Sequence, residues 1–235
     1  MIEIIPAVLP KSFKELTGGL EHIRGISRKV QIDIVGGGFF SRKRTWPFRD
    51  KSAFERMLKE ERDIPHWTEF ELEFDLMVEH PKELAQKFIE LHAARIIVHA
   101  RFEGALEAVE MLYHYDEDDR PFPIGIGVAL GAHASPEEFR PFENMVDFVQ
   151  VMGIDSIGKQ GEPPDKHGKA VELVERLRAR YPELTIQVDG GVAPRVHEFV
   201  QAGANRLVVG SAIIRAQNPR EVFETLYTEA NGALS

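Results

Sequence analysis

Short β-branched runs alternate with amphipathic, helix-like stretches along the chain, and this alternation limits the fold more than any other feature. Period-two apolar runs read as strands and 3.6-period stretches as helices, so their alternation signals a parallel sheet with crossover helices. Strands are expected near residues 2–8, 30–35, 70–77, 95–99, 123–129, 147–152, 185–189 and 206–209. Helical patterns occupy 12–24, 81–92, 103–113, 167–181, 194–202 and 219–230, and several open on a proline suited to a first helical turn. Eight strand–helix units in 235 residues is the count of one α/β domain over 1–235, a (β/α)8 or TIM barrel. A doubly wound open sheet is the runner-up, but it brings fewer units and an early glycine-rich nucleotide turn.

Two late strands run straight into glycine turns. Thr185-Ile186-Gln187-Val188 leads to Asp189-Gly190-Gly191, and Leu207-Val208-Val209 leads to Gly210-Ser211. Glycine turns let backbone N–H groups approach an anion, and the last two strand-to-helix loops are the usual phosphate site of such barrels. A small phosphorylated molecule is therefore the expected ligand. The net charge of −9 argues against nucleic acid or an anionic membrane as partner. No apolar stretch reaches membrane-spanning length, and no basic segment followed by an apolar run marks a signal peptide. The absence of cysteine fits a reducing compartment, so a cytoplasmic location is expected. Barrels of this kind often self-associate, yet no sequence feature marks a homo-oligomer interface.

Residues two apart on a strand share a face. The apolar members face the helices, which leaves Gln31, Asp33 and Val35 inward on the second strand and Glu73, Asp75 and Met77 on the third. Gln150 and Met152 point inward on the sixth strand and Gln187 and Asp189 on the seventh, while His99 ends the fourth at the catalytic mouth. Barrel interiors normally hold branched aliphatic side chains, and buried polar groups are costly unless paired or ligated. The alternation offers Arg95 as the only inward strand cation, at the opposite end of the barrel. A divalent cation at the mouth is the simplest remedy for converging carboxylates, and oxygen ligands favour Mg²⁺ or Mn²⁺ over Zn²⁺. A metal-free Asp/Gln hydrogen-bond network is the alternative, and His99 reads equally as a packed histidine or a ligand. The irregular stretch 36–69, with the basic run Arg42-Lys43-Arg44, is either a lid over the site or a solvated loop. The acidic run Asp116-Glu117-Asp118-Asp119 reads as a solvated loop.

The chain resembles the ribulose-phosphate 3-epimerase family along essentially its whole length. Ile5-Pro6-Ala7-Val8-Leu9 is similar to the family's A-P-S-I-L, and Gln31-Ile32-Asp33-Ile34-Val35-Gly36-Gly37-Gly38-Phe39 to H-V-D-V-M-D-G-H-F. Phe74-Asp75-Leu76-Met77-Val78 resembles V-H-L-M-I, Val98-His99 the fourth-strand V-H, and Val151-Met152-Gly153-Ile154 the sixth-strand V-M-S-V. The closest blocks are Gln187 through Val192, Ala202-Gly203-Ala204-Asn205 and Gly210-Ser211-Ala212-Ile213. The resemblance implies an isomerase that epimerises a sugar phosphate, with D-ribulose 5-phosphate foremost. Asp33 and Asp189 match the acid/base pair, and Gln31, Asp33, Asp75 and Asp189 occupy the metal-ligand positions. Gly190, Gly191, Gly210 and Ser211 would hold phosphate, with Met77, His99 and Met152 against the substrate. The family's two metal-binding histidines read Gln31 and Asp75 here and its serine reads Ala7, changes that weaken zinc relative to magnesium or manganese. A decarboxylase of this superfamily would show D-x-K, but Val35 follows Asp33 by two, and no strand-end lysine suits a Schiff-base aldolase. A catalytically inactive or differently acting phosphosugar-binding barrel is the alternative.

Overall fold

The computed structural model describes residues 1–36, 44–115 and 123–233. Eight parallel strands pair in chain order and close, β8 against β1, into a barrel. They are β1 Glu3–Val8, β2 Lys29–Val35, β3 Glu71–Met77, β4 Arg95–His99, β5 Gly125–Leu130, β6 Phe148–Met152, β7 Thr185–Asp189 and β8 Arg206–Val209. Around them lie α1 Phe13–Ile23, α2 Lys51–Leu58, α3 Lys82–Glu90, α4 Ala105–Tyr115, α5 Lys169–Arg180, α6 Val196–Ala202, α7 Ser211–Ile214 and α8 Pro219–Gly232. No helix among the described residues is long and apolar enough to cross a membrane. The basic positions Arg42 and Lys43, Gly37 to Phe39, and the acidic run 116–119 lie outside the described residues.

Helix ends follow local chemistry. The Ser12 hydroxyl accepts from the Glu15 N–H at 3.2 Å and caps α1, and Asn218 Oδ1 does the same for Glu221 ahead of Pro219 in α8. Two connections differ from expectation. The stretch 36–69 contains α2, which buries Ala53, Phe54 and Met57. Trp46 is fully buried edge-on to Phe54, with ring centres 5.5 Å apart. Between β5 and β6 only a single 3-10 turn, Pro136–Glu138, replaces a helix, and the buried Phe139 and Phe142 cover the strands there.

The apolar mass lies between strands and helices, where Val30, Ile32, Ile34, Phe74, Leu76, Val149, Val151, Ile186 and Val188 pack outward. Inside the barrel the apolar groups form two small clusters, one around Val35, Met77, Ile97, Phe148 and Met152, the other of Ile5, Ala7 and Val208. Gly127 makes room for the first. A Cβ there would sit 2.4 Å from the Phe148 ring. Polar side chains fill what remains, and Gln31, Glu73, Asp75, Gln150 and Gln187 are all essentially inaccessible.

Arg95 is not the only inward cation. Val208 faces inward on β8, and residues two apart share a face, so Arg206 also enters the barrel. Its Nη2 lies 2.6 Å from Glu73 Oε2, its Nε lies 3.3 Å from Glu3 Oε2, and its guanidinium rests 4.8 Å from the Phe148 ring centre. Glu73 is thus ion-paired at the base of the barrel, although its charge still adds to the upward push on Asp33 and Asp189. Removing one partner of a buried ion pair strands the other, at about 3–5 kcal/mol. Arg206→Met should therefore lower unfolding free energy in urea titrations by about that amount. The Arg206→Met/Glu73→Met pair should recover most of the loss.

Candidate active site

At the C-terminal ends of the strands, register sets the geometry. Asp33 pairs with Asp75 across β2 and β3, and Asp189 pairs with Met152 across β7 and β6. Asp33, Asp75 and Asp189 are buried, and each offers a carboxylate oxygen within 4.8 Å of the others. Gln31 Nε2 donates to Asp33 Oδ1 at 2.9 Å and to Asp189 Oδ2 at 3.2 Å, bridging the two acids. Gln150 Nε2 donates to Asp75 Oδ2 at 3.2 Å, and His99 Nε2 lies 2.7 Å from Asp75 Oδ1. His99 is buried and stacks on Phe102, with ring centres 5.4 Å apart, so it meets Asp75 from behind and does not line the cavity.

Below this layer the two N–H groups of Gln187 are shared among three oxygens, Glu73 Oε1 at 2.7 Å, Gln150 Oε1 at 2.6 Å and, at the longest distance, Gln31 Oε1 at 3.1 Å. Both neighbouring amides therefore turn their oxygens down and their NH₂ groups up. Gln31 was expected to supply a metal with an oxygen. As placed, its nitrogen faces the aspartates and its oxygen is taken by Gln187, so serving as a ligand would require flipping the amide and losing that bond. The three aspartates are the oxygen donors at hand, and their all-oxygen set suits a hard divalent ion. Among the described residues, the nearest inward cation, Arg206, is occupied by Glu73 and Glu3 at the other end.

One cavity of about 140 Å³ opens beside these acids. Asp33, Asp189, Met77 and Met152 line it together with Gly190, Gly191, Gly210 and Ser211, so both expected acids and the expected phosphate turns share one space. Gln31, Asp75 and His99 stand behind its wall. Backbone geometry demands glycine at 190 and 191. Gly190 and Gly191 have φ of +90° and +62°, and a Cβ on Gly191 would lie 2.8 Å from both Gly153 O and Pro164 Cα. A Cβ on Gly210 would lie 2.6 Å from Gln160 Nε2, which donates to Ala7 O at 2.9 Å. The β6–α5 loop is folded back over the cradle and pinned by the buried Asp165. That carboxylate accepts from Lys169 N at 2.6 Å and pairs with Arg195 at 2.8 Å. Gln160 and Glu162, brought to the cavity by this loop, were not expected. The one available signal was the position of the loop after β6.

A sequence model of the "Ribulose-phosphate 3 epimerase family" matches residues 54–214. The chain belongs to the ribulose-phosphate 3-epimerase family. It is 32% identical over 164 residues to the ribulose-phosphate 3-epimerase of Schizosaccharomyces pombe, covering 68% of each protein. Against the ribulose-phosphate 3-epimerase of Candida glabrata it is 25% identical over 242 residues, covering 98% of this chain and 93% of the relative. Among solved structures, 3-hexulose-6-phosphate synthase from Salmonella typhimurium superposes with a TM-score of 0.68 at 14% identity, over 99% of this chain and 100% of that one. That likeness is one of fold. The family match includes Asp75, Asp189 and both glycine turns, and Asp33 precedes it.

Electrostatics push Asp33 and Asp189 the same way. Burial, then the charges of Asp189 and Asp75, push Asp33 well above the usual carboxylate range, and the Gln31 N–H draws it part of the way back. Burial and the charge of Asp75 push Asp189 up to about 8, against the pull of Gln31 and the Gly190 N–H. The folded state therefore binds protons that the unfolded chain releases near pH 4, and this contribution to stability is lost as pH rises through about 8. In chelator the thermal midpoint should fall between pH 5 and 8.5, and Asp189→Asn should flatten that fall. Mn²⁺ or Mg²⁺ should raise the midpoint more at pH 8.5 than at pH 5, because cation and proton compete for the same oxygens.

Proposed function

We propose that the chain is a sugar-phosphate epimerase, acting on D-ribulose 5-phosphate or a close relative by proton transfer between Asp33 and Asp189. The observation that carries this reading is that both acids line one cavity with the glycine turns of β7 and β8. Phosphate held on Gly190, Gly191, Gly210 and Ser211 fixes the sugar so that its C3 lies between carboxyl groups from strands separated by β1 and β8. One ionised carboxylate takes the C3 proton, and the C–H electron pair enters the C2–C3 bond of an enediolate. The other, protonated, delivers its proton to the opposite face of C3. Such a pair needs one acid charged and one neutral: burial and mutual repulsion raise both acids and so supply the neutral member, while the Gln31 N–H groups favour ionisation of the other.

Gln31 serves both acids. Its NH₂ bridges them, so it stabilises whichever carboxylate is ionised at each stage. Met77 and Met152 form an apolar wall that keeps water from the developing carbanion. Asp33, Asp75 and Asp189 would hold a divalent ion, with Mg²⁺ or Mn²⁺ preferred to Zn²⁺. When bound, such an ion supplies a Lewis acid for the negative charge of the enediolate.

A second reading rests on Gln31 and Ala7. The first donates N–H groups to the acids, and the second leaves no hydroxyl on the cavity wall where the family has serine. A phosphosugar-binding barrel without turnover is consistent with both. Deuterium exchange separates the readings. In D₂O with Mg²⁺ or Mn²⁺, the protein should exchange the C3 proton of ribulose 5-phosphate, measured by mass spectrometry or NMR. Asp33→Asn and Asp189→Asn should each slow exchange by at least about a hundredfold. Absence of exchange on any pentulose or hexulose phosphate, with the ligand still bound, would establish the binder.

A further inference from the structure

Beyond the acid-lined cavity, and sharing the wall formed by Gly158, Lys159, Gln160 and Glu162, lies a larger chamber of about 700 Å³. Its lining has the opposite charge. Lys11, Arg44, Arg49, Lys159 and Arg215 face it, against Glu15 and Glu162. In a chain of net charge −9 this is a local reversal, not the general character of the surface.

The two acids are already engaged. Glu15 Oε2 accepts from the Lys11 N–H at 2.9 Å, and Glu162 lies 3.7 Å from Lys159. Arg44, Arg49 and Arg215 have no ion-pair partner among the described residues. Arg215 is held in place against the β6–α5 loop, with Nη2 3.4 Å from Gln160 O and its guanidinium packed over Gly161. Its anchor is thus a loop that also lines the inner cavity. Guanidinium groups present planar, bidentate donors that match phosphate and carboxylate, and a cleft lined by one sign of charge concentrates counter-ions.

From this we infer that the chamber is a second anion subsite of the same active site, so that the chain accepts a phosphosugar carrying a second anionic group, a further phosphate or a carboxylate. The inference rests on the cradle reading above for the position of the first phosphate. The inner cavity takes one phosphate and the reacting carbons. The non-reacting end of a longer or doubly charged substrate passes beneath the Gln160 wall to the arginines.

The test compares three ligands by calorimetry at low and at physiological salt: a ketose 5-phosphate, the matching 1,5-bisphosphate, and a phosphorylated sugar acid of the same length. At least one of the two doubly anionic ligands should bind tenfold or more tighter than the monophosphate at low salt, with the advantage shrinking as salt rises. The Arg49→Gln/Arg215→Gln variant should lose that advantage while binding the monophosphate within about twofold of the parent. Its folding is checked by an unchanged thermal midpoint, and single substitutions replace the pair if the midpoint falls. Equal affinity of the parent for all three ligands, or an advantage that survives in the variant, overturns the inference. Failure of the parent to bind the monophosphate at all strikes instead at the cradle and at the proposed epimerase.

Discussion

The ion pair between Arg206 and Glu73 closes the base of the barrel, and the direction of every polar group above it follows from that charge. Glu73 is an acceptor, so Gln187 must present its NH₂ group to it. With its nitrogen committed, Gln187 donates towards the oxygens of Gln31 and Gln150. Those two amides are thereby turned, and their NH₂ groups meet the carboxylates of Asp33, Asp189 and Asp75. Gln187 Oε1 is left without a hydrogen-bond partner among the described residues. Flipping that amide would set its oxygen against Glu73 and two amide oxygens, so one orphan acceptor is the lesser cost. Three glutamines therefore carry the polarity of a buried ion pair upward to the acids.

The mouth combines two kinds of construction. Carboxylates come from the regular strands β2, β3 and β7, where pairing register fixes their spacing. The glycine turns come from irregular backbone, where β6 and β7 turn so closely that Gly153 and Gly191 have no room for a Cβ. Asp165 joins the two by capping α5 while gripping Arg195 ahead of α6, which fixes the β6–α5 loop over the cradle. Strand register and the Asp165 contacts together hold the acids and the glycine turns in place around one cavity.

Much of this was legible, and for a hard geometric reason. Strand side chains alternate with period two, so finding Ile32, Ile34, Phe74, Val149 and Val188 on the helix side fixes Asp33, Asp75, Gln150 and Asp189 inside. Glycine after a strand end is similarly informative, since only glycine fits φ of +90° at position 190 without strain. Arg206 escaped because β8 has only four residues and two inward positions, too few to establish a phase. Helix α2 escaped because eight residues with three buried positions give a weak periodic signal amid glycine and proline. The direction of Gln31 could not be read at all. A glutamine offers a donor and an acceptor on the same atoms' reach, and only the chain of partners below it decides which one faces the acids.

Charge accounts for how the inner and outer chambers relate. Where the family carries imidazoles, this chain has a carboxylate at Asp75 and an amide at Gln31, so the inner cavity gains negative charge and loses neutral ligands. Such a cluster holds protons or a hard cation near neutral pH, as the upward shifts of Asp33 and Asp189 require. In its ionised, metal-free form it would repel a dianion. The arginines of the outer chamber, which shares the Gln160 wall with the inner one, set positive charge on the far side of that wall. From the outer chamber to the inner one, positive charge, the backbone of the glycine turns and the carboxyl groups succeed one another. That order places a buried acidic cluster and a basic chamber on two sides of one wall in a chain of net charge −9.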